Sequence, residues 1–127
     1  MSYFSKRSLT NLKQCHPDLQ VLFNEVIQIV DCAVICGHRN QKDQNSAFNK
    51  GFSKVRFPNS KHNTIPSMAA DVVPWPIDWQ DIERFKDFGK FVTDTADRLF
   101  KEGKIANHIE WGGTWNWKDY PHYQIKA

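Results

Sequence analysis

Ser60-Lys61-His62-Asn63-Thr64-Ile65-Pro66-Ser67-Met68-Ala69-Ala70-Asp71-Val72-Val73-Pro74 joins a polar, histidine-bearing segment to a β-like run. Met68 to Val73 is small and apolar apart from one carboxylate, and it reads as a strand. Pro74, Trp75 and Pro76 end it, because proline cannot donate to a sheet ladder. Asp71 stands inside the strand, nine residues after His62. The rest of the chain is read by whether it builds, covers or serves that pair.

Upstream, Cys32-Ala33-Val34-Ile35-Cys36 is a continuous small-apolar run bounded by Gly37 and reads as a buried strand, with Arg39 at its end. Gln41 to Lys50 is polar, marked by Ala47 and Phe48, and Gly51 is a helix stop. Further back, Leu19, Leu22, Phe23, Val26, Ile27 and Val30 keep helical spacing behind Pro17 and Asp18. That predicts an amphipathic helix of about 14 residues. Residues 1–15 are polar and irregular, with Ser8 or Thr10 starting at most a short helical turn.

Downstream, Asp78 reads as a helix cap with Asp81 in the capping-box position. Ile82, Phe85, Phe88, Val92, Ala96 and Leu99 continue one face, and Gly103 stops a helix of about 20 residues. Ile105 to Trp111 reads as a strand with His108 and Glu110 on one face. Gly112-Gly113 breaks it, Trp115 to Lys118 is an aromatic loop, and Tyr120 to Ile125 is a last short strand. The order predicts an α+β fold, a small and mainly antiparallel sheet backed by helices.

A chain of 127 residues has room for one core, so residues 1–127 are expected to form a single domain. Its 40% hydrophobic and 13% aromatic content excludes a disordered chain. No apolar run is long enough to span a bilayer, and Met1 to Arg7 lacks the apolar centre of a secretory signal. A cytoplasmic start is therefore expected. The formal charge of +3 is spread without a basic cluster, so neither nucleic acid nor membrane is expected as a partner. Cys15, Cys32 and Cys36 form no CxxC pair, which argues against a disulfide framework or a cysteine-based zinc site. Cys32 and Cys36 read as core thiols.

Histidine and aspartate supply the nitrogen and oxygen donors that a hydrolytic metal needs, three of them with one position left for water. His62, Asp71 and His122 are the candidates, and Asp119, three residues before His122, is a candidate proton carrier. Any single histidine is more often a surface or core residue than a ligand. His16 reads as part of a helix entry and His38 as a surface neighbour of Arg39, whereas His108 competes as a ligand through Glu110.

Three blocks together are more specific. They are Gly37-His38-Arg39 with Gln44 and Gly51-Phe52-Ser53; Ser60-Lys61-His62 with Ser67 to Trp75; and Glu110-Trp111-Gly112-Gly113-Thr114-Trp115 with Asp119 to Gln124. In this order they resemble the zinc peptidases that cut D-amino-acid-containing peptides of the bacterial cell wall. That group includes D-alanyl-D-alanine carboxypeptidases and dipeptidases and the L-alanyl-D-glutamate endopeptidases used as phage endolysins. The Trp-Gly-Gly block is most like the endolysin branch. The resemblance implies a hedgehog/D-Ala-D-Ala peptidase-like fold with a Zn2+ ion at the sheet held by His62, Asp71 and His122. It implies Asp119 as acid/base, Arg39 at the oxyanion or substrate, and Ser60 in support of His62. A common form of the family spaces histidine and aspartate seven apart; here the interval is nine, filled by Ile65-Pro66-Ser67.

The implied protein is a monomeric catalytic domain without a separate wall-binding domain, acting on the peptidoglycan stem peptide. It would wait in the host cytoplasm until a holin opens the membrane, then reach the periplasm and cell wall. A D-alanyl-D-alanine carboxypeptidase or dipeptidase is the alternative in the same fold. A non-enzymatic glycan- or nucleic-acid-binding module would need no metal. A structural zinc protein would close the site with His108 or Glu110.

Overall fold

Alternation along β-strands divides this molecule into a packed side and a site side. The computed structural model describes residues 2–126. They form four α-helices and a four-stranded sheet: α1 Lys6–Lys13, α2 Pro17–Val26, β1 Cys32–Cys36, α3 Gln41–Asn49, β2 Ala69–Pro74, α4 Ile82–Lys101, β3 Ile109–Trp111 and β4 His122–Ile125. The strand order is β1-β2-β4-β3, and every adjacent pair is antiparallel.

Ala70, Val72, Tyr123 and Ile125 enter one core with Leu19, Leu22 and Phe23 of α2 and Phe88, Val92, Ala96 and Leu99 of α4. The intervening residues Asp71, His122 and Gln124 turn to the other face. Strand alternation is therefore what gathers polar side chains opposite the core.

Helix α2 ends at Val26 rather than running on to Val30, because Ile27 to Val30 make the turn that leads into β1. His16 caps it by accepting from the Asp18 backbone N–H at 3.0 Å. Asp18 Oδ2 accepts from the backbone of Ala106 and Asn107 and from the Asn107 side chain. That carboxylate holds residues 106–107 in a turn, so β3 starts at Ile109 and is shorter than expected. Helix α4 is capped by Asp81, not Asp78, through Arg84 N. Asp78 instead closes the small turn before it through Gln80 N.

The expected irregular amino-terminal segment is helix α1, capped by Ser5. Its inner face is polar as well as apolar. Ser8 Oγ accepts from Val34 N at 3.0 Å, and Asn11 Nδ2 donates to Val34 O at 2.8 Å. Thus α1 covers the open edge of β1 with hydrogen bonds. Gly37 permits the approach, since a Cβ there would collide with the Asn11 carbonyl.

Candidate active site and metal centre

The register of the sheet builds the site. Asp71 pairs with His122 across β2 and β4. On the other side a bulge between Val34 and Cys36 sets Cys36 opposite Asp71. Cys36 and Val34 would share a face in an unbroken strand; the extra residue turns Cys36 from the core into the row with Asp71 and His122. Cys36 is accordingly half-buried beside Arg39 and His62, which corrects its reading as a core thiol; Cys32 is in the core as expected. All three cysteines are free thiols.

His62 arrives from outside the sheet. It sits in a single 3-10 turn, Lys61–Asn63, capped by Ser60, whose Oγ accepts from His62 N. Ser60 therefore supports His62 through the backbone. The longer interval before Asp71 docks on the end of α1: Ser67 N donates to Gln14 O and His16 N donates to Ser67 O. Ser67 also donates through its hydroxyl to the carbonyl of Ala69 at 2.6 Å.

Two imidazoles converge on one carboxylate oxygen. His62 Nε2 lies 3.2 Å and His122 Nδ1 3.4 Å from Asp71 Oδ1. The far nitrogen of each ring faces an oxygen acceptor. His62 Nδ1 is 2.7 Å from the Gly37 carbonyl, and His122 Nε2 is 2.7 Å from Gln124 Oε1. Carbonyl oxygens only accept, so each far nitrogen carries a proton, and each near nitrogen is the one left to bind a cation, a proton or a metal ion, beside Asp71. Gln124 is itself oriented by donating to Glu110 Oε1 at 2.7 Å. Such outer partners fix the tautomer and direction of metal-binding histidines.

Two ring nitrogens aimed at one carboxylate call for a cation between them, which a proton supplies when no metal is bound. Burial alone would lower the His62 pKa, but the Asp71 charge and hydrogen bond, helped by Cys36, push it up to about 10. Burial would raise that of Asp71, but His62 and His122 hold it well below the usual carboxylate range. The donor set thus fits a divalent metal as chemistry. Cys36, His62 and Asp71 offer ligand atoms all within 4.8 Å of one another and could hold a metal ion. The Cys36 sulfur, however, lies 3.9 Å from His62 Nδ1, the nitrogen already given to Gly37.

Arg39 NH2 reaches Asp71 Oδ2 at 3.4 Å, and NH1 donates to Gln44 Oε1 at 2.9 Å. Asp119 Oδ2 lies 3.9 Å from His122 Nδ1. Burial and the Asp71 charge raise the Asp119 pKa against the opposing pull of His122, His62 and Arg39. The loop before Asp119 folds back on Gly112, whose carbonyl accepts from Trp115 N and Asp119 N. A Cβ at Gly112 would run into the Asp119 backbone, so that loop requires glycine there. His62, Asp71, His122, Asp119, Arg39 and Ser60 all line one cavity of about 1000 Å³.

His108 does not join them. It precedes β3 and stacks on Phe100 with ring centroids 3.9 Å apart. Trp111 packs against the core and donates to the Tyr120 carbonyl, while Trp115 and Trp117 line the cavity. Sequence reasoning gave no role to Gln44. It is fully buried, accepts from Arg39 and Asn63, and donates to Ser53 Oγ and Val55 O. Its signal was its place in the first of the three blocks, with Gly37-His38-Arg39, which named the residue without a task for it.

The sequence profile of the family described as phage L-alanyl-D-glutamate peptidase matches residues 1–127. The chain belongs to that family. It is accordingly a peptidase of the L-alanyl-D-glutamate class, a peptidoglycan endopeptidase. Its fold is similar to that of a crystal structure of the Serratia marcescens L-Ala D-Glu endopeptidase ChiX. The TM-score is 0.77 and the identity 26%, over 98% of this chain and 91% of that one. Comparison with curated proteins finds no significant sequence match. Among the described residues of the peptidase, no helix is long and apolar enough to cross a membrane.

Proposed function

We propose that this peptidase is a zinc enzyme that hydrolyses the L-alanyl-D-glutamate bond of cell-wall stem peptides in phage-driven host lysis. The observation that carries the reading is the convergence of two imidazole nitrogens on Asp71, with each ring's other nitrogen facing an oxygen acceptor. His62 Nε2, His122 Nδ1 and Asp71 would hold the ion, and three protein ligands leave a position for water. A zinc ion held there supplies Lewis acidity and brings the pKa of water toward neutrality.

The side chains divide the remaining work. Asp119, beside His122 in the cavity, accepts the proton of the attacking water and returns it to the D-glutamyl nitrogen as the C–N bond breaks. Arg39, held by Gln44, presents positive charge to the oxygen that becomes negative in the tetrahedral state. Gly37 and the Gln124–Glu110 pair keep the two histidines aimed. Cys36 stays outside the ligand set because its sulfur approaches the committed side of His62. Residues 1–127 act as one monomeric catalytic unit, reaching the wall once a holin opens the membrane.

The test is incubation of the purified protein with peptidoglycan, with and without chelator. New amino-terminal D-glutamate is expected, lost on chelation and restored by zinc. Intact muropeptides, or cleavage that survives complete metal removal, would overturn the reading.

A further inference from the structure

The charges around the cavity do not balance. Besides the two histidines, its lining carries Arg39, Lys54, Lys61 and Lys118 against Asp71 and Asp119. Arg39 is engaged by Asp71 and Gln44, and Lys61 Nζ donates to the Ile125 carbonyl at 2.7 Å. Lys54 and Lys118 form no ion pair among the described residues. The Lys54 ammonium lies 5.2 Å from the centre of the Trp117 ring, which draws it toward the loop bearing Lys118. Two unneutralised ammonium groups therefore border the cavity from two segments, and one is next to Asp119 in sequence.

The proposed substrate carries a matching charge. Glutamate has two carboxyl groups, and at most one continues a peptide. A D-glutamate acylated on nitrogen by L-alanine thus keeps a free carboxylate. It lies two bonds from the scissile nitrogen if it is the α group and four if it is the γ group. Either way it stays close to the atom that Asp119 protonates.

We infer that Lys54 and Lys118 form a subsite for the free carboxylate of the D-glutamyl residue, which makes the enzyme discriminate against stem peptides amidated there. Hydrogen bonds between ions are roughly twice as strong as neutral ones, and an amide would turn donors toward two ammonium groups. The inference rests on the function proposed above and adds a specificity to it.

The test compares N-acetyl-L-alanyl-γ-D-glutamyl-L-lysine with the same peptide amidated at the D-glutamyl α-carboxyl alone, using the zinc-loaded protein. About a tenfold higher kcat/KM is expected for the acid, shrinking as salt rises. In Lys54→Met/Lys118→Met and in the milder Lys118→Gln, with thermal melting used to verify folding, the preference should fall toward equality. Equal cleavage of both peptides by the unaltered protein would overturn the inference, as would lysine variants that slow both peptides by the same factor. Cleavage of neither peptide would instead overturn the proposed function, and the subsite with it.

Discussion

Asp119 carries opposing demands on one carboxyl group. Burial and the nearby charge of Asp71 favour its neutral form, whereas His122, His62 and Arg39 favour the anion. The balance raises its pKa, although a bound cation would pull it back down. A general base must be ionised, so activity should be lost as pH falls through the Asp119 value. Asp119→Asn should retain zinc and lower kcat by about 100- to 10,000-fold, with a residual rate that no longer shows that acid limb. Metal analysis and a pH–rate profile check both parts; loss of the metal would instead make Asp119 a ligand. Tyr123 shows a different residue-level tension. Its ring packs edge-on against Phe23 and Phe88, yet its buried hydroxyl finds no partner among the described residues. Tyr123→Phe should raise the unfolding free energy by about 1 kcal/mol in urea titration, because it removes an unsatisfied buried polar atom. A loss of similar size would mean that the hydroxyl has a partner.

At the scale of elements, the site depends on where strands and loops stop. The loop from Gly112 to Asp119 closes on the Gly112 carbonyl with no room for a side chain. Gly112→Ala should therefore leave the circular dichroism spectrum in place and lower kcat by about 10- to 100-fold, since Asp119 must shift from His122. Unchanged turnover would show that Asp119 tolerates the displacement. The elements that were legible in the sequence are those marked by apolar repetition. The stripe from Ile82 to Leu99 and the runs at Cys32 and Met68 gave α4, β1 and β2 to within a few residues. Elements secured by polar bonds were not. Helix α1 meets β1 through Ser8 and Asn11, which carry no hydrophobic period, and the Asp18 contacts that shorten β3 join residues 88 and 89 positions apart. The gathering of His62, Asp71, His122 and Asp119 followed from motif order. The part played by Cys36 did not, because a one-residue bulge has no signal in a uniformly apolar run.

Across the whole molecule, one sheet separates a core that holds the fold from a face that holds the chemistry. Metal binding should nevertheless stabilise the entire chain, because the donors proposed for it come from β2, β4 and the turn before β2, which are together only when the protein is folded. At a free zinc concentration about 1,000 times Kd, the gain is about 4 kcal/mol. The size of this gain should depend on pH with a definite sign. In the metal-free protein His62 has a pKa raised to about 10 from 6.5, so its contribution is complete below the unfolded value and disappears as pH rises toward 10. Asp71, held low, contributes above its unfolded value of 3.8 and loses that contribution only in acid. A proton on His62 also competes with the metal for the same lone pair. The difference in melting temperature between zinc-loaded and chelated protein should therefore widen from pH 6.5 to pH 9. Scanning calorimetry at several pH values measures it, and a gap that stays constant or narrows would mean that His62 does not exchange its proton for the ion.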